Sequence, residues 1–264
     1  MAAIDHRFTL RCFPISDQIQ TITNMKYTVT PNESLSSGYD AFGNLCVAGF
    51  ALNNHDKFSV DVSGTAQVGA KQEQITQDTC KVGYYKYESP MTKSNAALEN
   101  YFSAFVFVPE MSNFDKAMIM MQQLFLDFSY VKGATNVTTT AGEAFELGKG
   151  VCQDYSHILI ALCKLASIPA RYVAGLLLEE NFTHAWVEIF QLDQSNPNQG
   201  YWIAIDPTNN LIVDDHHIKF SCGRDSKDCQ INHGIFTGGG NQTQVISINV
   251  SENENKIFIN ESEN

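Results

Sequence analysis

The stretch from Gly150 to Asp206 constrains this chain most, because one long apolar helix is followed there by three strands with short links. From about Val151 the residues Ile158, Leu159, Leu162, Leu165 and Ala166 recur at helical spacing on one face. Gly150 stands before this run and Pro169 just beyond it, as at the ends of a buried helix of about four turns. Ala170 to Leu178 is then nearly all apolar, Thr183 to Gln191 alternates, and Gly200 to Asp206 stops at the turn signal Asp-Pro-Thr. A buried helix followed by three closely linked strands predicts an α+β layer with an antiparallel sheet.

Upstream the pattern differs. Arg7 to Pro14, Thr21 to Thr30, Leu45 to Ala51 and Lys57 to Val68 are short runs broken by turn chemistry, and Phe58, Val60 and Val62 alternate with Ser59, Asp61 and Ser63. That period of two predicts half-buried strands, with Asp40-Ala-Phe-Gly-Asn44 as a turn. After Ser89-Pro90 the period becomes helical, around Ser94 to Ser103 and from Ser112 to Phe125. There Phe114, Met118, Met121 and Phe125 form a stripe expected to be core. Thr140 stands three residues ahead of Glu143, and Gly148 follows, predicting a short capped helix. Beyond Asn210 strand signals are weak, at Val245 to Val250 and Lys256 to Ile259. The expected division is an N-terminal β domain over 1–90, an α+β domain over 91–250, and an acidic tail over 251–264.

Composition narrows the function. The chain has 264 residues, 44% of them apolar, which is ample for a core. Its 17 Lys and Arg stand against 29 Asp and Glu, a net charge of −12, and no basic cluster is present to meet a phosphate backbone, so no nucleic-acid partner is expected. No apolar run reaches the ~20 residues of a membrane span, and the first residues lack a basic region followed by an apolar one, so neither a membrane partner nor an export signal is expected. The 7 cysteines are odd in number and scattered without a CxxC pair, as in a reduced cytoplasmic protein. His216, His217, Cys222 and Cys229 offer metal-ligand types, but their gaps match no ordinary zinc spacing, and no metal is expected.

Cys152 follows Gly148-Lys-Gly150-Val151 and opens the long helix, where the positive end of the dipole favours a thiolate. A small buried cysteine, as Cys163 must be farther along the helix, is the plain alternative. His184 stands near a strand start, with Trp186 on the same strand face, and can act as a base toward a neighbouring thiol or serve as a structural histidine. Asp206 ends the third strand, where it can cap the turn or accept the imidazole N–H.

Taken together, Gly148-Lys-Gly-Val-Cys152-Gln-Asp-Tyr-Ser-His157, Leu165-Ala-Ser-Ile-Pro-Ala-Arg-Tyr-Val-Ala-Gly175, Thr183-His-Ala-Trp-Val-Glu188 and Ile205-Asp-Pro-Thr-Asn-Asn210 resemble the core of the transglutaminase-like superfamily. More narrowly, the chain is similar to bacterial transglutaminase-like proteins regarded as cysteine proteases. Ser36 to Asn44 resembles their N-terminal β region, while Phe128-Ser-Tyr130, Gly223-Arg-Asp225 and Gly234 to Gly240 match flanking segments less specifically. The resemblance implies a papain-like fold, with the cysteine helix packed on an antiparallel sheet behind a β-sandwich-like N-terminal domain. It implies a catalytic triad of Cys152, His184 and Asp206, with Tyr130 as a candidate oxyanion donor beside the Cys152 backbone N–H. Trp186 is a candidate wall of the cleft. The implied activity is thiol-dependent acyl transfer on a peptide or protein, without a cofactor. Hydrolysis is the first expectation, transfer to an amine the second, and a non-catalytic binding module that keeps the fold the third.

Overall fold

A computed structural model describes residues 2–69, 73–76, 79–196, 198–239, 243–253 and 256–261. The N-terminal strands are β1 (Ala3–Leu10), β2 (Gln20–Thr30), β3 (Ser34–Tyr39), β4 (Leu45–Ala51), β5 (Ser59–Val68) and β6 (Glu73–Thr76). Helix α1 (Thr79–Val82), a single turn, leads into α2 (Ala96–Ser103) and α3 (Asn113–Asp127). The short strand β7 (Ser129–Tyr130), helix α4 (Ala141–Leu147) and short strand β8 (Lys149–Gly150) then precede α5 (Cys152–Leu165). The remaining strands are β9 (Ala170–Leu177), β10 (Thr183–Leu192), β11 (Gly200–Asp206), β12 (Leu211–Ile212), β13 (His217–Gly223), β14 (Asn232–Gly238), β15 (Ile248–Asn253) and β16 (Lys256–Glu261).

The fold is α+β. The central sheet is antiparallel in the order β12-β11-β10-β9-β13, and β6 also pairs with β11. Two further antiparallel sheets, β14-β1-β4-β3 and β15-β16-β5-β2, carry the N-terminal strands. Phe8, Leu10 and Val47 from the first meet Val29, Val60 and Val62 from the second around Phe13, which makes this region a sandwich. The alternation in β5 is as expected, with Val60 and Val62 buried and Asp61 exposed between them.

The strand signals at Val245 to Val250 and Lys256 to Ile259 correspond to β15 and β16, but the C-terminal strands depart from the expected division in their pairing. β14 pairs with β1 and β16 with β5, so the chain returns to the N-terminal sheets after completing the central one. Of residues 251–264, expected as an acidic tail, 251–253 and 256–261 lie in β15 and β16; 254, 255 and 262–264 lie outside the described residues, as does Gly240.

Helix α5 is buried over Asp154 to Lys164, as expected of a central helix, because α2, α3 and α4 cover the side turned away from β9 and β10. Strand β10 is likewise buried on both faces instead of one. Ala185, Val187 and Ile189 join the α5 core, whereas Trp186 packs with Val173, Ala204, Val213 and Cys222. On α3 the fully buried residues are Ala117, Met120, Met121 and Leu124. This i, i+3, i+4, i+7 face lies to one side of the expected stripe, leaving Phe114 and Met118 at its margin and Phe125 exposed.

Candidate active site

Cys152 reaches its position through a built turn. Thr140 and Glu143 form a capping box that starts α4, and Gly148 ends that helix in the left-handed region at φ 68°. β8 then lies parallel to β7, with Tyr130 opposite Gly150 and the Val131 N–H donating to the Gly150 carbonyl at 2.8 Å. Gly150 is required by space, since a Cβ there would stand 2.4 Å from Asp154 Oδ2. That carboxylate oxygen accepts the Val151 N–H at 2.7 Å and the Thr135 hydroxyl at 2.6 Å. Val151 offers no side-chain acceptor of its own, so Asp154 reaching back from the first turn is what fixes the start of α5. Cys152 is the first helical residue and is partly exposed.

His184 is the second residue of β10, opposite Gly175 on β9, and is 4% exposed. Its Nε2 lies 2.7 Å from Asp206 Oδ2, and the Cys152 side chain is close enough to act on the ring. Asp206, the last residue of β11, is fully buried. Its Oδ1 accepts the backbone N–H groups of Thr208 and Asn209 at 2.9 and 3.3 Å, and its Oδ2 accepts Asn209 Nδ2 at 2.8 Å. The Asp-Pro-Thr-Asn turn thus supplies the donors that hold the carboxylate. Turn-capping and imidazole-binding, alternatives in the sequence, are performed by one side chain.

The electrostatics follow from this packing. Burial works against a charged His184, but hydrogen bonds to Asp206 and Cys152 and their charges outweigh it, raising the imidazole from 6.5 to about 10. Burial also opposes ionisation of Asp206, yet the hydrogen bonds from His184, His217 and Asn209 hold it well below the usual carboxylate range. The structure therefore brings Cys152, His184 and Asp206 together, with His184 hydrogen-bonded to Asp206.

Tyr130 is 43% exposed at the end of β7, close enough for the Cys152 charge to act on it. Burial, then Cys152 and Glu180, push its phenol upward, which keeps the O–H a donor at neutral pH. Trp186 does not line a cleft. It is fully buried and near-parallel to His184, ring centroids 6.3 Å apart, where it backs the imidazole from within the sheet. The reason is that the second face of β10 is also buried, with Trp186 packed against Val173, Ala204, Val213 and Cys222.

His216 and His217, weighed in the sequence as metal-ligand types, separate as expected for neighbours on an extended chain. His216 is exposed and meets Asp214 Oδ2 at 3.0 Å, while buried His217 places Nε2 3.4 Å from Asp206 Oδ2. Cys222 and Cys229 lie elsewhere in the core. Three donor atoms of His184, Asp206 and His217 do fall within 4.8 Å of one another. Each contact among them with Asp206 is accounted for as a hydrogen bond. Sequence reasoning missed His217 and Asp154 as parts of this centre. The alternation His217-Ile-Lys-Phe-Ser221 was a strand signal that could have placed the first, and the spacing from Val151 to Asp154 a helix-start signal for the second.

The sequence profile of the transglutaminase-like superfamily matches residues 102–207. An uncharacterized protein of Mycobacterium tuberculosis is 29% identical over 156 residues, covering 54% of this chain and 49% of that protein. The chain thus spans about half the length of the curated relatives it matches first. A protein-glutamine gamma-glutamyltransferase of Pseudomonas aeruginosa is 36% identical over 76 residues, 24% of this chain and 10% of that protein. Among solved structures, a candidate cysteine protease from Cytophaga hutchinsonii superposes with a TM-score of 0.70 at 20% identity, over 98% of this chain and 93% of that one, and so shares the fold. With its matched segment spanning the cysteine helix, the His184 strand and Asp206, the chain carries a core of the transglutaminase-like superfamily.

Proposed function

We propose that the protein is a thiol-dependent acyl-transfer enzyme that cleaves an amide in a peptide or protein, with Cys152 as nucleophile, His184 as acid and base, and Asp206 as its partner. The observation that carries this reading is the convergence of Cys152, His184 and Asp206, with Cys152 close enough to act on the His184 ring and His184 Nε2 2.7 Å from Asp206 Oδ2. The Cys152 sulfur adds to the amide carbonyl, forming the C–S bond, while the carbonyl oxygen takes the electron pair as an oxyanion. The Cys152 N–H at the start of α5 and the Tyr130 hydroxyl are the donors proposed to face that oxygen. Collapse breaks the C–N bond, the His184 imidazolium gives its proton to the leaving amine, and a thioester remains. Neutral His184 then takes a proton from water as its oxygen adds to the thioester; the C–S bond breaks, releasing a carboxylic acid and restoring the cysteine.

Iodoacetamide tests the centre without a known substrate. Cys152 is expected to be alkylated before the other described thiols, because burial pushes Cys163 to about 12, raises Cys229 well above its ordinary value and raises Cys46. His184→Ala is expected to slow labelling of Cys152 alone. Equal labelling across the cysteines, read by peptide mass mapping, would overturn the proposal.

Transfer of the acyl group to an amine instead of water is the second reading, supported by the likeness to the gamma-glutamyltransferase. A fluorescent primary amine incorporated into a glutamine-containing protein, and lost in Cys152→Ala, would select it.

A further inference from the structure

Asp206 Oδ2 faces two imidazoles, and the proposed mechanism uses only one of them. His217 is 2% exposed, its ring centroid 5.9 Å from that of His184 and 5.3 Å from that of Trp186, which it meets edge-on. Its Nε2 lies 3.4 Å from Asp206 Oδ2 and its Nδ1 lies 3.2 Å from Asp214 Oδ1. Both of these oxygens belong to carboxylates, which accept and do not donate when ionised. A neutral imidazole has one N–H, so only the doubly protonated ring can donate to both.

The remaining surroundings close the arrangement. Leu177 is its neighbour across β9, and Asp214 is shared with exposed His216, which approaches its other oxygen at 3.0 Å. From Asp214 inward, the groups alternate as carboxyl, imidazole, carboxyl, imidazole, ending at the Cys152 side chain.

We propose that His217 is a positioning residue for the acyl-transfer centre: clamped as an imidazolium between Asp206 and Asp214, it competes with His184 for the Asp206 carboxylate and so limits how firmly His184 holds its proton. This inference rests on the enzyme reading above and deepens it. A buried Asp–His pair alone makes a strongly basic imidazole, and an imidazole too basic releases its proton to the leaving amine poorly. A second cation on the same carboxylate weakens that hold while anchoring the carboxylate from the other side.

The test follows the ring-nitrogen resonances of isotope-labelled histidine. In the wild type, both His217 nitrogens are expected to be protonated at neutral pH; a bare nitrogen there would overturn the proposal without any variant. In His217→Gln, which keeps a donor near the Nε2 position and drops the charge, the titration of His184 is expected to move upward by about one pH unit. His217→Phe, which keeps a ring against Trp186 and drops both donor and charge, is expected to move it at least as far. A role in packing alone would leave His184 unmoved in the Gln and Phe variants alike, and that result overturns the proposal. Iodoacetamide labelling in the same samples separates the two readings. Fast, His184-dependent alkylation of Cys152 with an unmoved His184 titration sinks this inference alone, whereas slow alkylation of wild-type Cys152 sinks the enzyme reading.

Discussion

Asp206 and His184 are both buried, and each alone would favour its neutral form there. Paired at 2.7 Å they favour the charged forms, and this links folding stability to pH from two sides. The folded-state value of Asp206 is depressed, so its contribution is present above its ordinary 3.8 and is lost as pH falls toward the lower folded value. The folded-state value of His184 is raised, so its contribution is complete below 6.5 and is lost as pH rises through about 10. Stability from the pair is therefore greatest between these windows, in mildly acidic solution. Urea unfolding across pH should show stability declining from about pH 6.5 to 10 in the wild type, with that decline flattened in His184→Asn. An alkaline slope identical in the two proteins would mean that the pair is not coupled to folding. At this scale the sequence carried the order of Cys152, His184 and Asp206. It did not carry the third dimension, in which Trp186 lies beneath the imidazole and His217 arrives from a strand not recognised in advance.

At the scale of elements, the start of α5 depends on a side chain that a pattern of apolar residues does not reveal. Asp154 is 1% exposed, and its Oδ2 binds both the Val151 N–H and the Thr135 hydroxyl, tying the helix to the loop between β7 and α4. Asp154→Ala removes both bonds and is expected to cost about 1–3 kcal/mol in chemical unfolding. Because Cys152 lies between Val151 and Asp154, the same variant should lose part of the selective alkylation of Cys152. Unchanged stability together with unchanged alkylation would show that the helix start is held by other contacts. Helices α2 to α5 and strands β2, β4 and β5 follow sequence periodicity closely, whereas β1 overlaps the expected run only over Arg7 to Leu10, and α1 and β3 carried no signal. β13 escapes because its polar residues are buried against partners: His217 meets Asp206, and Lys219 Nζ meets Glu188 Oε1 at 2.7 Å. Alternating polarity there marks a charge-paired face instead of a wet one, a distinction made by neighbours distant in sequence. The same network places Arg171 against the other oxygen of Glu188, so Glu188→Gln leaves two buried cations sharing a neutral amide. That substitution should cost about 3–5 kcal/mol by urea unfolding, and a loss within experimental error would refute the pairing.

For the whole molecule, the open edge of the central sheet decides how the N-terminal strands and the acyl-transfer core depend on each other. β13 pairs with β9 and forms the sheet's last strand, so its outer backbone groups need partners. Two buried side-chain amides from the N-terminal region supply them. Gln20 donates to the Lys219 carbonyl at 2.6 Å and accepts its N–H at 3.0 Å, and Asn44 does the same at Cys222, at 2.7 and 2.8 Å. Asn44 is set by the Asp40 turn expected from the sequence, in which Asp40 Oδ1 accepts the Phe42 and Asn44 N–H groups and Gly43 takes φ 86°. On the opposite edge β6 pairs with β11, while β14 and β16 return to the N-terminal sheets. A fragment of residues 91–250 would lose all of these partners and expose β13 and β14 as edges. It is expected to aggregate, whereas Gln20→Ala and Asn44→Ala in the full chain should each lower stability by about 1–3 kcal/mol, since each strands two buried backbone groups. Size-exclusion chromatography and urea unfolding read both outcomes. A monomeric fragment with cooperative unfolding, beside full-length variants of wild-type stability, would show the core to be independent of the strands that border it.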